Sequence, residues 1–142
     1  MEKETCENGP GRGKKVLVID DEPDIVTYLS VLLEDNGFQV ECVTDADKAV
    51  AEAERFLPDL ILLDIMMPKK TGLAIYKMLR SDPRLELIPV IIVSAFSRVK
   101  DFPARDFDEL VSKAGMPQPA GYIEKPINRK LLIKRALEAV GG

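Results

Sequence analysis

Five short apolar runs punctuate the chain: Lys15–Ile19 (KVLVI), Phe38–Val43 (FQVECV), Leu60–Leu63 (LILL), Val90–Val93 (VIIV) and Gly121–Ile123 (GYI). Within the first, third and fourth, apolar residues follow one another without a polar partner. Strands read this way when helices cover both faces of a parallel sheet. Between the runs, apolar residues recur at helical spacing. Ile25, Leu29, Leu32 and Leu33 lie at i, i+4, i+7 and i+8, with Pro23 suited to a first turn and Gly37 to a stop. Ala49, Ala53, Phe56 and Leu57 repeat the pattern before Pro58, and Ile75, Tyr76 and Leu79 follow Gly72 and end at Ser81-Asp82-Pro83. Phe107, Leu110, Val111 and Ala114 are closed by Gly115, and Ile133, Ala136, Leu137 and Val140 run to Gly141.

The expectation is five β-α units with right-handed crossovers, giving an α/β fold in which a parallel sheet lies between two helical layers. Such sheets carry their chemistry beyond the carboxyl ends of the strands, where the strand order reverses. Functional residues should therefore follow directly after the apolar runs. Asp20-Asp21-Glu22-Pro23-Asp24 follows the first run, Asp64 the third, Ser94-Ala95 the fourth and Lys125-Pro126 the fifth.

Carboxylates crowded into one crevice repel one another and raise at least one pKa unless a cation intervenes. Oxygen-only ligands select Mg²⁺, Mn²⁺ or Ca²⁺ over zinc. A carboxylate can also act as nucleophile in phosphoryl transfer, with a metal and a lysine neutralising the equatorial oxygens. Taken singly, each residue reads equally well as ordinary structure. Asp20 or Asp21 suits a helix cap, Asp64 a turn, Ser94 a small strand end, and Lys125 a solvated surface charge. Their joint placement at four strand ends is what points to one reaction.

Composition narrows the alternatives. The chain has 142 residues, 46% of them apolar, enough for one domain; residues 1–13 are expected to be a flexible tail and 14–142 the domain. A net charge of −4 argues against nonspecific attachment to nucleic acid or anionic membrane. No histidine is present, which excludes His-based metal sites, Ser–His–Asp triads and a phospho-histidine on this chain. No apolar run approaches the roughly 20 residues of a membrane span, and the first residues lack the apolar core of a secretory signal, so a cytoplasmic location is expected. Cys6 falls in the tail, and Cys42, in a strand-like run, is expected to be a free buried thiol.

The stretches VLVIDDEPD, LILLDIMMPKKTG, VIIVSA and YIEKP resemble, in order, the four signature regions of response-regulator receiver domains of two-component systems, and the likeness runs from Lys15 to Val140. Each motif alone is weak; together they are specific. The resemblance implies a flavodoxin-like doubly wound (βα)5 fold with strand order 2-1-3-4-5. It implies that Asp64 is the phosphoacceptor and that Asp21 and Asp64 ligate Mg²⁺ (or Mn²⁺), with Asp20 acting mainly through water and the backbone carbonyl of Met66 completing the set. Ser94 becomes the switch hydroxyl, Tyr122 the aromatic that moves with it (a core aromatic being the plainer reading), and Lys125 the phosphoryl contact, its bond to Pro126 cis. The implied partners are a histidine kinase or histidine phosphotransfer protein as donor, and an output protein on the face made by the fourth helix, fifth strand and fifth helix. The chain is then a switch that catalyses its own phosphorylation and slow dephosphorylation rather than an enzyme in the ordinary sense.

The sequence departs from that pattern between Phe96 and Ala120. That stretch exceeds one helix of about 11–12 residues with two short connections, so unusual partner recognition is expected there. Met66 and Phe96, bulky and apolar beside the expected path of a hydrolytic water, imply a long-lived phosphoryl state. Three rivals remain. A phosphorylation-independent binding module would lack an acid or the lysine. A flavin binder would want a Ser/Thr/Gly-rich phosphate loop where DDEPD stands. An aspartate phosphatase resembling the haloacid dehalogenases would want a second acid at Met66.

Overall fold

A computed structural model describes residues 11–65, 72–94, 109 and 111–141, with Ser94 described in its backbone alone. The apolar runs become β1 (Lys15–Ile19), β2 (Gln39–Val43), β3 (Leu60–Leu63), β4 (Val90–Ser94) and β5 (Gly121–Glu124). Between them lie α1 (Pro23–Asp35), α2 (Ala49–Phe56, after a short 3-10 turn at Ala46–Lys48) and α3 (Gly72–Ser81). Residues 109 and 111–113 are the described helical residues of α4, and α5 (Arg129–Ala139) follows β5. All pairings are parallel and the strand order is β2-β1-β3-β4-β5, as expected.

Strand alternation divides the core into two layers. Leu17, Ile19, Ile61, Leu63, Val90 and Ile92 pack with Ala49, Ala53 and Phe56 of α2, Ile75, Tyr76 and Leu79 of α3, and Val111. Val16, Val18, Leu60, Leu62, Ile91 and Val93 face the other way, onto Leu29 and Leu33 of α1 and Leu132 and Ala136 of α5. Both faces of β1, β3 and β4 are thus dry, which is why Val16–Ile19, Leu60–Leu63 and Val90–Val93 are apolar throughout.

Local chemistry sets the helix ends. Pro23 opens α1, and Gly37, at φ 94, ends it with its amide N–H donating to the Glu34 carbonyl, a conformation that penalises any β-carbon. Asn128 caps α5, its side chain accepting from the Leu131 amide at 3.0 Å. Leu57, expected on the buried stripe of α2, instead stops the helix at φ 49 and is exposed.

Two further expectations need correction. Residues 11–13 are not a free tail: Gly11 is buried, its amide donates to the Asn36 carbonyl at 2.6 Å, and the Phe38 ring leaves no room for a β-carbon there. Residues 1–10 lie outside the described residues. Cys42 is exposed rather than buried, because β2 is an edge strand whose outer positions are only partly covered; its Sγ lies 2.9 Å from Ser30 Oγ. Desolvation still pushes that thiol above its usual pKa, with Glu34 and Glu41 adding to the rise and the Ser30 contact opposing it.

Candidate functional site

β1 has β2 on one side and β3 on the other, so the strand order reverses between them and a crevice opens past their carboxyl ends. The ladder runs one residue beyond each strand. The Asp20 amide donates to the Val43 carbonyl at 3.1 Å and the Asp64 amide to the Ile19 carbonyl at 2.9 Å. These bonds fix both acids at the rim, where Asp20 is only 2% and Asp64 only 4% exposed. Asp21 is half-buried beside them, and one carboxylate oxygen from each of the three lies within 4.8 Å of the others.

The cation comes from the far side of the sheet. The Lys125–Pro126 bond at the end of β5 is cis, as expected. Lys125 Nζ donates to Glu22 Oε1 at 2.9 Å and to Asp20 Oδ2 at 3.0 Å, and stands 3.8 Å from Asp64 Oδ2. The last is a charge contact beyond hydrogen-bond length. Burial raises the Asp20 pKa above its ordinary value; the Glu22 charge adds to this, while the Glu22 amide and Lys125 oppose it. Burial pulls Lys125 down, but hydrogen bonds to Glu22 and Asp20 and the charges of Asp64 and Asp20 more than offset it, so its pKa lies above the ordinary value.

The crevice is therefore rich in anions, and the donors suit a hard divalent cation. Three carboxylate oxygens converge, two of them from buried residues, and among the described residues Lys125 is the one ammonium facing three acids plus Glu22, too little to neutralise them. Asp20, Asp21 and Asp64 are the residues that would hold the ion.

Two other strand ends contribute. Ser94 closes β4 with its backbone opposite Glu124; its side chain lies outside the described residues. Tyr122 pairs with Ile92 across β4 and β5 and is half-buried against the α2–α3 layer. Met66 and Phe96, and with them the expectations of a backbone metal ligand and of a shielded phosphoryl group, lie outside the described residues.

Sequence reasoning missed two features. It noted Glu22 without giving it a role, although Glu22 makes the shortest Lys125 contact. It also left the over-long Phe96–Ala120 stretch without an anchor. There the Tyr76 hydroxyl of α3 donates to the Pro117 carbonyl at 2.6 Å, and Met116 packs on the core. The acid-rich DDEPD stretch was a signal for the first; nothing local signalled the second.

A family model described as the response regulator receiver domain matches residues 16–137. The DNA-binding master transcriptional regulator RpaA of Synechocystis is 39% identical over 61% of this chain and 36% of its own length. The phosphate regulon regulator PhoB of Klebsiella pneumoniae is 34% identical over 86% of the chain and 49% of its own. The chain thus spans a half or less of these regulators, whereas it covers 84% of an uncharacterised 14.6 kDa protein of Leptolyngbya boryana at 32% identity. Among solved structures, a sensor protein from Polaromonas superposes with TM-score 0.77 at 27% identity, covering 91% of this chain and 97% of that one. The receiver domain of a sensor histidine kinase from Pseudomonas aeruginosa, solved with magnesium coordinated in the active-site cleft, gives 0.75 at 28% identity, covering 92% and 99%. No helix among the described residues is long and apolar enough to cross a membrane.

Proposed function

The chain belongs to the response regulator receiver domain family, and from that premise we propose that Asp64 accepts a phosphoryl group and that the domain switches a partner by doing so. The observation that carries this reading is the convergence of Asp20, Asp21 and Asp64 with Lys125 Nζ 3.8 Å from the Asp64 carboxylate. The donor is a phospho-histidine on a kinase or phosphotransfer protein, since this chain has no histidine of its own. An Asp64 oxygen attacks phosphorus, the P–N bond breaks, the imidazole keeps the electron pair and takes a proton from water, and a P–O bond forms.

A Mg²⁺ ion held by Asp20, Asp21 and Asp64 would supply neutralisation of the transferring group when bound. The protein does the rest. The β1 and β3 ladders hold Asp20 and Asp64 at the rim, the sheet excludes water from beneath them, and Lys125 offers an ammonium to the incoming oxygens. Phosphorylation then favours one of two arrangements of Ser94 and Tyr122 at the ends of β4 and β5. The readout face is the one formed by α4, β5 and α5, where an open cavity of about 430 Å³ lies between Tyr122 and Arg135. The domain is thus a self-phosphorylating switch rather than an enzyme acting on a separate substrate.

Intact mass after incubation with acetyl phosphate tests the reading. A single Mg²⁺-dependent phosphoryl adduct is expected in the wild type and none in Asp64→Asn. Folded wild type that gains no adduct removes it.

A further inference from the structure

Glu22 stands outside the acceptor and metal residues, yet its carboxylate is 2.9 Å from Lys125 Nζ, against 3.0 Å for Asp20 and 3.8 Å for Asp64. An ammonium has three N–H donors. Two go to Glu22 and Asp20, and Asp64 is left beyond hydrogen-bond reach. Glu22 also occupies the N-cap of α1, where a side chain ordinarily accepts from the free amides of the first turn. It makes no such bond; Asp20 Oδ1 accepts the Glu22 amide instead, at 3.0 Å. The Glu22 charge is therefore committed to Lys125 and not to the helix. Its side chain is 58% exposed while that of Asp20 is 2% exposed, so Glu22 can return to water readily and Asp20 cannot.

We propose that Glu22 is a positioning residue, a displaceable counter-ion that holds the Lys125 ammonium away from Asp64 until a phosphoryl group arrives and then releases it. The inference rests on Asp64 being the acceptor. A phosphoryl group brings about two negative charges and three acceptor oxygens to one place, whereas Glu22 brings one charge already shared with water. The ammonium moves to the stronger anion, and the Glu22 pair has to break each time. Glu22 thereby sets how readily Lys125 engages the modified site.

The test uses the full chain and beryllofluoride with Mg²⁺ as the phosphoryl stand-in, comparing wild type, Glu22→Gln, Glu22→Asp and Asp64→Asn. Glu22→Gln keeps the shape and removes the charge. It should bind beryllofluoride about threefold more tightly than wild type, the scale of a partly exposed ion pair, while binding Mg²⁺ alone no more tightly. The ¹⁵N resonance of Lys125 Nζ in unliganded Glu22→Gln should lie toward its position in liganded wild type, and Glu22→Asp should fall between. Unchanged or weaker beryllofluoride binding by Glu22→Gln, or an unmoved Nζ resonance, overturns the inference and leaves Asp64 as acceptor if wild type still binds. Wild type that shows no binding dependent on Asp64 overturns both.

Discussion

Replacing Gly72 by alanine tests how tightly the acceptor strand is locked to the helix that follows it. Gly72 opens α3 and its amide donates to the Ile65 carbonyl at 3.0 Å, one residue past Asp64. A β-carbon on Gly72 would stand 2.2 Å from Ile65 Cα and 2.7 Å from its Cγ2, where ordinary contact begins at 3.4 Å. The nearest obstacle is backbone, so no rotamer change relieves it; α3 or the segment carrying Asp64 has to move by roughly an ångström. Overpacking of this kind costs about 1–3 kcal/mol, and weakening the Gly72–Ile65 bond adds about 1 kcal/mol. The better helix propensity of alanine offsets at most about 1 kcal/mol. The sum is a loss of about 1–3 kcal/mol, which at a urea slope of about 1–3 kcal/mol per molar lowers the unfolding midpoint by about 1 M. Far-UV circular dichroism in urea measures it, and acetyl phosphate uptake below the transition should be slower because Asp64 has shifted. An unchanged midpoint together with wild-type uptake would show that the close approach is not what holds the acceptor in place.

Other residues give independent checks. Lys125→Ala should still take up phosphoryl groups but fail to change the environment of Tyr122 on doing so, as followed by the Tyr122 ring resonances. It should also bind Mg²⁺ about three- to tenfold more tightly by calorimetry, because a competing cation is gone. Tyr76→Phe removes the donor to the Pro117 carbonyl and should destabilise the fold by about 1 kcal/mol in urea, with no effect if that carbonyl gains water instead. Cys42 is exposed but its thiol pKa is raised, so at neutral pH less of it is thiolate and iodoacetamide should label it more slowly than an unperturbed thiol, the gap closing as pH rises. Labelling of Cys42 as fast as that of a free cysteine peptide near pH 7 contradicts this.

The sheet was readable because β1, β3 and β4 are buried on both faces, which forces uninterrupted apolar runs, and because parallel topology sends their acidic ends to one edge. Helix phase was less so. In α1, Val26 is buried where Ile25 was expected, and in α5 Leu132 is buried where Ile133 was. Adjacent apolar residues let a 3.6-residue stripe be drawn at two rotations, and only packing against β1, β3 and β4 chooses between them. Cys42 was misplaced because strand pattern does not tell an edge from a centre. Gly11 on Phe38, Tyr76 on Pro117 and Glu22 on Lys125 join residues far apart in sequence, and no local spacing announces such contacts. The site was legible for the opposite reason: Asp20, Asp21, Asp64 and Lys125 each follow a strand directly, so predicting the strands placed them.

Chemical trapping shows whether the phosphoryl group resides on the Asp64 carboxylate. Wild-type protein is incubated with acetyl phosphate and Mg²⁺, reduced with borohydride, which converts an aspartyl phosphate to homoserine, and mapped by peptide mass spectrometry. Homoserine is expected at position 64, dependent on Mg²⁺, with Asp20 and Asp21 unmodified. Homoserine at either of those acids instead, or a phosphoryl adduct that borohydride leaves intact on a hydroxyl, would contradict this.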